Sequence, residues 1–376
     1  MSASSALSRA SVKRQRTERF LSTLERYQPI SRSELASLLG MSPASVTRAV
    51  NALIGLGLVR EVSVTGSAGR GRRAINLHTC AGGMFSLGFH IAPDSLHGCL
   101  LDFDHGVRVR RVIPVPPSEL TPERLAALAG EMAASLLPAG TSLTRAAGVS
   151  VSGQIDMDTG RVLRSEAFDW TDADIASPFG EALGMPVRVE NDVKACLTWE
   201  CLRRGYLENQ RDVSYLYIGR AGVGFASSVG GQLVRGATNA AGEIEDILLS
   251  ANERIGDRLM ENSLVARARR LSPSVNTFGD ILEASQLGIR WARMLADDFA
   301  GSLNLLLALV FALLDPHEII LGGDIADTLR EYPGIVRDGR CAFGGNYEDA
   351  CAHGVAFIAM RQAALDLMDA MSEETP

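Results

Sequence analysis

The sequence predicts a winged helix-turn-helix at the N-terminus followed by an α/β body of two similar halves. Three observations carry that prediction. Residues 31–54 hold two helix starts separated by a Gly-containing corner. Two short alternating strands around a Gly/Arg-rich loop follow directly. From Gly83 onward the pattern becomes strands and then alternating helices and strands, twice over.

Residues 13–27 read as a first helix with Phe20, Leu21, Leu24 and Tyr27 turned inward. Ser31 and Glu34 form a capping box, Leu35, Leu38 and Leu39 give the second helix its apolar face, and Gly40 supplies the residue that leaves it at positive φ. Ser42 caps the third helix with Pro43 at its first position, where a missing N–H costs nothing. On this helix Val46, Ala49, Val50 and Leu53 share one face, and Ala44, Thr47, Arg48 and Asn51 share the opposite one. That outer face is short, polar and cationic, as a helix seated in a major groove must be, so Ser42, Ala44, Ser45, Thr47, Arg48 and Asn51 are the candidate DNA contacts. The same pattern also describes a small three-helix packing module with a solvated outer face. The wing decides between them. Residues 55–64 read as a turn and strand, Thr65-Gly-Ser-Ala-Gly-Arg-Gly-Arg-Arg73 as a loop tip, and residues 74–78 as the return strand. Glycine lets the tip approach a backbone closely, and Arg70, Arg72 and Arg73 can reach phosphates or a narrow minor groove.

Charge divides along the same line. Residues 1–80 carry Lys13 and eleven Arg against four Glu, a balance of +8, while the remainder carries 25 basic against 40 acidic side chains, or −15. A basic head on an acidic body is steered to a polyanion at one end only, which implies double-stranded DNA as the partner. The apolar run over residues 303–314 stops after about a dozen residues and reads as a buried helix. The Ser/Ala-rich start has no apolar core, so a disordered tail over residues 1–11, no membrane association and a cytoplasmic location are expected. Six scattered cysteines without a Cys-x-x-Cys pair read as free thiols.

In the body, residues 84–91, 95–102 and 107–115 read as three successive strands, then a helix over 122–137, a buried strand over 146–151, a helix near 175–183, a strand over 187–190 and a helix over 192–204. The second half repeats the logic with strands over 213–218, 222–229 and 232–234, a long helical region over about 257–314, a strand over 318–321 and a final helix over 355–371. The expected organisation is a DNA-binding head over 12–80, a first lobe over 81–205 and a second lobe over 206–376 whose last helix returns to the first. The cleft between two lobes is the expected ligand site.

Four runs in the body, Gly148-Val-Ser-Val-Ser-Gly153, Val187-Arg-Val-Glu-Asn-Asp192, Gly231-Gln-Leu-Val-Arg-Gly-Ala-Thr-Asn-Ala-Ala-Gly-Glu-Ile-Glu245 and Leu314-Asp-Pro-His-Glu-Ile-Ile-Leu-Gly-Gly323, resemble the ROK family of repressors, open reading frames and kinases. With a winged helix in front, the chain resembles its repressor branch, the NagC/XylR/Mlc type. The resemblance implies a two-lobed actin-like domain of the ribonuclease H-like, sugar-kinase kind, a sugar or amino sugar in the cleft, and a homo-oligomer, dimer or tetramer. By position in these motifs, Gly153, Asn191, Asp192 and Glu243 are the implied ligand contacts, with Asp246 beside them and Glu261 roughly matching a second sugar-contacting Glu. Asp192 matches the kinase base, and it is equally placed to cap the helix that begins there.

The departures are as informative. Kinase members carry Asp-x-Gly-Gly-Thr on the first hairpin; here the place reads His90-Ile-Ala-Pro-Asp94, where Pro93 has no N–H for a phosphate and Asp94 adds a like charge. The second phosphate loop reads Gly219-Arg-Ala-Gly-Val-Gly224 without the family's Thr. Asp246 replaces the His of the family's zinc site, and residues 250–258 contain no Cys. No cofactor, no metal and no enzymatic activity are therefore expected. Three functions fit: a transcription regulator controlled by a sugar-like effector, a sugar kinase with an appended head, and a DNA-binding scaffold without an effector.

Overall fold

A computed structural model describes residues 3–63, 75–137, 144–207 and 209–373. The head holds α1 (Ala3–Tyr27), α2 (Arg32–Leu39), α3 (Pro43–Gly55) and the antiparallel pair β1 (Val59–Ser63) and β2 (Ile75–Thr79). Helix α1 starts at Ala3, so residues 3–11 of the stretch read as a disordered tail are helical; they are rich in Ala and Ser and hold no Gly or Pro to stop a helix. Ser31 caps α2 through the expected capping box, and Gly40 leaves it at φ 63°. Leu38, read as part of the apolar face, is exposed, and Ala36 is buried instead. The loop tip with Arg70, Arg72 and Arg73 lies outside the described residues.

The first lobe comprises β3 (Phe85–Ala92), β4 (Ser95–Asp102), β5 (Val107–Pro114), α4 (Pro122–Leu136), β6 (Thr144–Val151), the short strands β7 (Gln154–Asp156), β8 (Arg161–Ser165) and β9 (Trp170–Asp174), α5 (Ala176–Leu183), β10 (Val187–Asn191) and α6 (Asp192–Arg203). Its sheet runs β10-β6-β3-β4-β5, with β10, β6 and β3 parallel and β4 and β5 antiparallel to their neighbours. The strands β7, β8 and β9 form a separate small sheet that the periodicity did not predict.

The second lobe comprises β11 (Val213–Ile218), β12 (Val223–Val229), β13 (Gln232–Leu233), the hairpin β14 (Leu248–Ser250) and β15 (Glu253–Arg254), α7 (Ile255–Leu259), α8 (Glu261–Arg269), α9 (Phe278–Gln286), α10 (Arg290–Leu314), β16 (Glu318–Gly322), α11 (Asp324–Leu329) and β17 (Cys341–Phe343). Its sheet order is β13-β12-β11-β16-β17. The helical region read over 257–314 is thus four helices. The apolar run at its end is the C-terminal half of the 25-residue α10, long and apolar enough to cross a membrane by composition. One side of α10 is buried in the lobe through Leu295, Phe299, Leu303, Leu306 and Val310; Leu305, Leu309 and Leu313 on the other side are exposed.

The chain ends in α12 (Tyr347–Glu373), which begins two turns before the predicted Val355 because Asn346 caps it, its side chain accepting from the Asp349 amide at 2.9 Å. The helix is buried on nearly all sides over its first half, so no apolar stripe marks where it starts. It lies on the first lobe's sheet with unusual closeness. A Cβ on Gly88 of β3 would meet the Ala352 carbonyl at 2.1 Å, and one on Gly354 would meet the Ala195 carbonyl of α6 at 1.9 Å. A single apolar cluster runs from Phe20, Leu24, Val50 and Leu53 of the head, through Leu101 and Phe103 at the end of β4, to Phe357, Met360 and Leu365 of α12. Head and first lobe therefore share one core.

Candidate functional site

The head presents α3 as its outward helix. Val46, Val50 and Leu53 are buried, and Ala44, Thr47, Arg48 and Asn51 are exposed. Ser42 and Ser45 serve the helix start: the Ser42 hydroxyl accepts from the Ser45 amide at 3.2 Å and lies 2.9 Å from the Ser45 hydroxyl. Arg32, which the sequence reading passed over, ties the head together. Its guanidinium reaches Glu61 of β1 at 2.8 Å, the Thr47 carbonyl at 3.3 Å and the Asn51 Oδ1 at 2.8 Å.

Between the lobes, Asn191 caps α6. Its Oδ1 accepts from the Lys194 amide at 3.1 Å, and its Nδ2 donates to the Gly153 carbonyl at 3.1 Å. Gly153 sits at φ 127°, and a Cβ there would meet the Arg164 carbonyl at 2.4 Å, so this bend between β6 and β7 requires glycine. Asp192 is buried, with Oδ1 accepting from the Val193 amide at 2.9 Å. Burial pushes its carboxyl up to about 6; the Val193 amide and the Tyr347 hydroxyl oppose the shift and Glu243 adds to it. For Glu243, partial burial raises the pKa and Lys194 opposes the shift. Asn191 thus joins the Gly153 carbonyl to the Lys194 amide, and the charges of Asp192 and Glu243 act on the Lys194 ammonium.

Lys194 itself is 1% exposed and donates from Nζ to the Asn239 carbonyl at 2.7 Å. Burial lowers its pKa, opposed by Glu190, Glu243 and Asp192. Beside it the fully buried Glu190 pairs with Arg235 at 2.6 Å. Arg235 and Asn239 lie on the second lobe's 234–242 loop, and Asn239 donates back to the Ile155 carbonyl of the first lobe at 3.0 Å. These polar contacts stitch the lobes at the cleft floor. Glu190 stands directly before Asn191 in the motif, but Lys194 and Arg235 carry no signal of their own in the sequence.

Two candidates are committed elsewhere. Asp246 is ion-paired with Arg254 across the β14–β15 hairpin. Glu261 accepts from the Phe278 amide at 2.9 Å, holding the start of α9, and lies 3.6 Å from Arg220. The Asp246–Arg254 pair stands where the family's zinc ligands would be. A guanidinium in place of thiolates repels a cation, so these residues do not fit the metal.

Aromatic side chains crowd the region of the second phosphate loop. Tyr217 stacks on Tyr347 with ring centroids 4.2 Å apart. Its ring and hydroxyl lie over Gly219 and Gly323, where added Cβ atoms would meet it at 2.1 and 2.7 Å. His90, in the position of the kinase Asp, is buried, 3.2 Å from the Ser150 hydroxyl and edge-on to Tyr347. Burial, reinforced by His97, drops its pKa to about 3, so the ring is neutral.

The fold so described is a two-lobed actin-like α/β protein carrying a helix-turn-helix head. The ROK family pattern matches residues 87–338, and the chain belongs to the ROK family. The MarR family pattern matches residues 19–62 of the head. A transcriptional regulator of Mycobacterium tuberculosis is 26% identical over 336 residues, spanning 84% of this chain and 75% of that protein. The xylose repressor of Bacillus subtilis is 23% identical over 332 residues, 84% of each chain. The crystal structure of a ROK family transcriptional regulator, described as a homologue of the Escherichia coli MLC protein, superposes with a TM-score of 0.75 at 20% identity, covering 96% of this chain and 98% of that one.

Proposed function

We propose that the protein is a DNA-binding transcriptional repressor of carbohydrate genes, acting as a homo-oligomer and controlled by a sugar-like polyol held between Asn191, Asp192, Glu243 and the Gly153 bend. The observation that carries this reading is the core shared by head and first lobe, continuous from Leu53 of α3 to Phe357 of α12. A head fixed to one lobe moves whenever the cleft opens or closes. The relatives named as regulators and as a xylose repressor support the same reading.

Asp192 accepts a sugar hydroxyl in this reading and abstracts no proton in a phosphoryl transfer, because Tyr217 occupies the space over Gly219 and Gly323 and Pro93 offers no amide to a phosphate. The oligomer forms through the outer face of α10. Gly301, Leu305, Leu309 and Leu313 are exposed there, and no charged residue occurs over residues 299–314. A face without charge is one that a second copy can cover isologously without like-charge repulsion. With the second lobes joined and the heads on the first lobes, ligand closure changes the spacing of two α3 helices, and hence the fit to two operator half-sites.

The test combines DNA binding with ligand binding. Full-length protein is titrated against DNA from its own upstream region, with and without each member of a panel of sugars and amino sugars, and thermal unfolding is followed with the same panel. One panel member raises the melting temperature and shifts DNA affinity. Sugar-dependent turnover of ATP would instead make it a kinase, and DNA binding indifferent to every ligand would make it a scaffold.

A further inference from the structure

The outer face of α3 contains one side chain whose hydrogen-bonding sense is already set. Asn51 is exposed, one turn beyond Thr47 and Arg48, yet its amide is not free to turn. Arg32 Nη2 lies 2.8 Å from it, and a guanidinium only donates, so the atom it meets is the oxygen, Oδ1. Arg32 is itself fixed at two further points, by Glu61 on β1 at 2.8 Å and by the Thr47 carbonyl at 3.3 Å. The constraint on Asn51 is therefore built from α2, α3 and the wing strand together. With Oδ1 turned toward Arg32, the amide NH2 is the part left to face a base.

That orientation matters in a major groove. An asparagine pairs bidentately with adenine by accepting from N6 and donating to N7, which needs Oδ1 and Nδ2 presented side by side. An amide whose oxygen is turned aside and holds one of its two lone pairs on Arg32 presents its NH2 foremost and so favours acceptors: guanine presents N7 and O6 adjacent to one another, whereas the adenine N6 amino group sets donor against donor. We propose that Arg32 is a specificity-determining positioning residue, holding the Asn51 amide so that α3 selects guanine, and excludes adenine, at the base pair it faces. The inference rests on the reading of α3 as the helix that enters DNA.

The experiment is selection from a randomised duplex library by the full-length protein, its Asn51→Ala variant, its Arg32→Met variant and its Arg48→Ala variant. The base pair whose preference vanishes in Asn51→Ala is the one Asn51 faces. Guanine is expected there for the unaltered protein, and 7-deazaguanine at that position should weaken binding by roughly ten-fold. Arg32→Met should move the preference to adenine, with circular dichroism checking that the variant is folded. If it does not fold, the unaltered protein and the deaza-substituted duplex still decide. Selection of an A·T or T·A pair at that position overturns the proposal, as does a G·C preference that survives Arg32→Met, or a selected site unaffected by Asn51→Ala. Failure of the underlying reading looks different: the unaltered protein enriches no sequence, or Arg48→Ala and Asn51→Ala both leave its selected site unchanged.

Discussion

Arg361 of α12 grips Glu25 of α1 through both carboxylate oxygens, each 2.8 Å from the same guanidinium nitrogen, with the two side chains only 12% and 14% exposed. The guanidinium also donates to the Glu18 carbonyl at 3.3 Å and to the Ser22 hydroxyl, and His105 at the β4–β5 turn lies 3.8 Å from Glu25. Head, first lobe and α12 meet at this one carboxylate. Glu25→Gln removes its charge and leaves the guanidinium enclosed, so it should destabilise the protein by about 3 kcal/mol. Arg361→Met should recover part of that loss in the double variant. Urea unfolding of the two single variants and the pair measures the coupling. In DNA titrations the effector-dependent ratio of affinities should fall toward one in Glu25→Gln; a ratio equal to that of the unaltered protein would remove this contact from the signalling route.

Asp192 makes a pH prediction with a definite sign. Its folded carboxyl titrates at about 6 against 3.8 in the unfolded chain, chiefly through burial, so the folded state holds the proton more tightly. Stability therefore falls as pH rises from about 4 to about 6, and the cost is fully present at neutral pH. Asp192→Asn removes the charge while keeping an oxygen for the Val193 amide. It should gain about 2 kcal/mol at pH 7.5 and nothing at pH 4. Melting curves across that range check it, and a change of the same size at both ends would refute the assignment. The same variant should bind the effector more weakly.

Arg48 and Arg72 should separate two kinds of DNA contact. Arg48, on the exposed face of α3, is placed to touch base edges, so Arg48→Ala should abolish preference for the operator over random DNA. Arg72 belongs to the loop read as the wing tip, and Arg72→Ala should weaken binding to all sequences alike while lowering the slope of log affinity against log salt by about one. Anisotropy titrations at several salt concentrations distinguish them. Undiminished selectivity in Arg48→Ala would mean that α3 is not the reading helix.

Leu309 and Leu313 are 42% and 79% exposed on the uncharged side of α10. Leu309→Glu buries an unpaired charge on each side of the isologous contact proposed above, so the assembly should fall to monomers by sedimentation, with each monomer's melting temperature little changed. Operator affinity should drop with it, because two half-sites are no longer held by one particle. An oligomer that survives Leu309→Glu together with Leu313→Glu would place the contact elsewhere.

Much of this was legible in the sequence where local rules and packing agree. The capping box at Ser31, the Gly40 exit and the Ser42-Pro43 start fix α2 and α3, because each satisfies backbone groups within a few residues. Strands β3 and β4 are similarly clear, since both are buried over nearly their whole length and rich in Leu, Ile and Phe, with a short turn between them. The site was legible only where a motif repeats a known order. Asn191, Asp192 and Glu243 follow from it, whereas Asp246 and Glu261 match by position and are claimed by Arg254 and the α9 amide, partners that sequence spacing does not reveal. Tyr217 and Tyr347 were invisible for another reason. An aromatic on a strand and one at the start of a helix buried all round look like ordinary core, and only the fold stacks the two rings together and lays Tyr217 over Gly219 and Gly323.

The seat of α12 is tight on two sides, Gly88 of β3 lying under its Ala352 carbonyl and its own Gly354 lying against the Ala195 carbonyl of α6, so a larger residue at either place meets a carbonyl. The reading domain is thus cargo bolted to one jaw and not a separately tethered module. In the dimer proposed above, two molecules joined at their opposite jaws would make a calliper whose points are the two α3 helices, with the jaw angle setting the span between them. On that proposal, pocket chemistry could drift to suit a new metabolite without any redesign of the points, because the head's seat on the first lobe is built from residues outside the candidate ligand site.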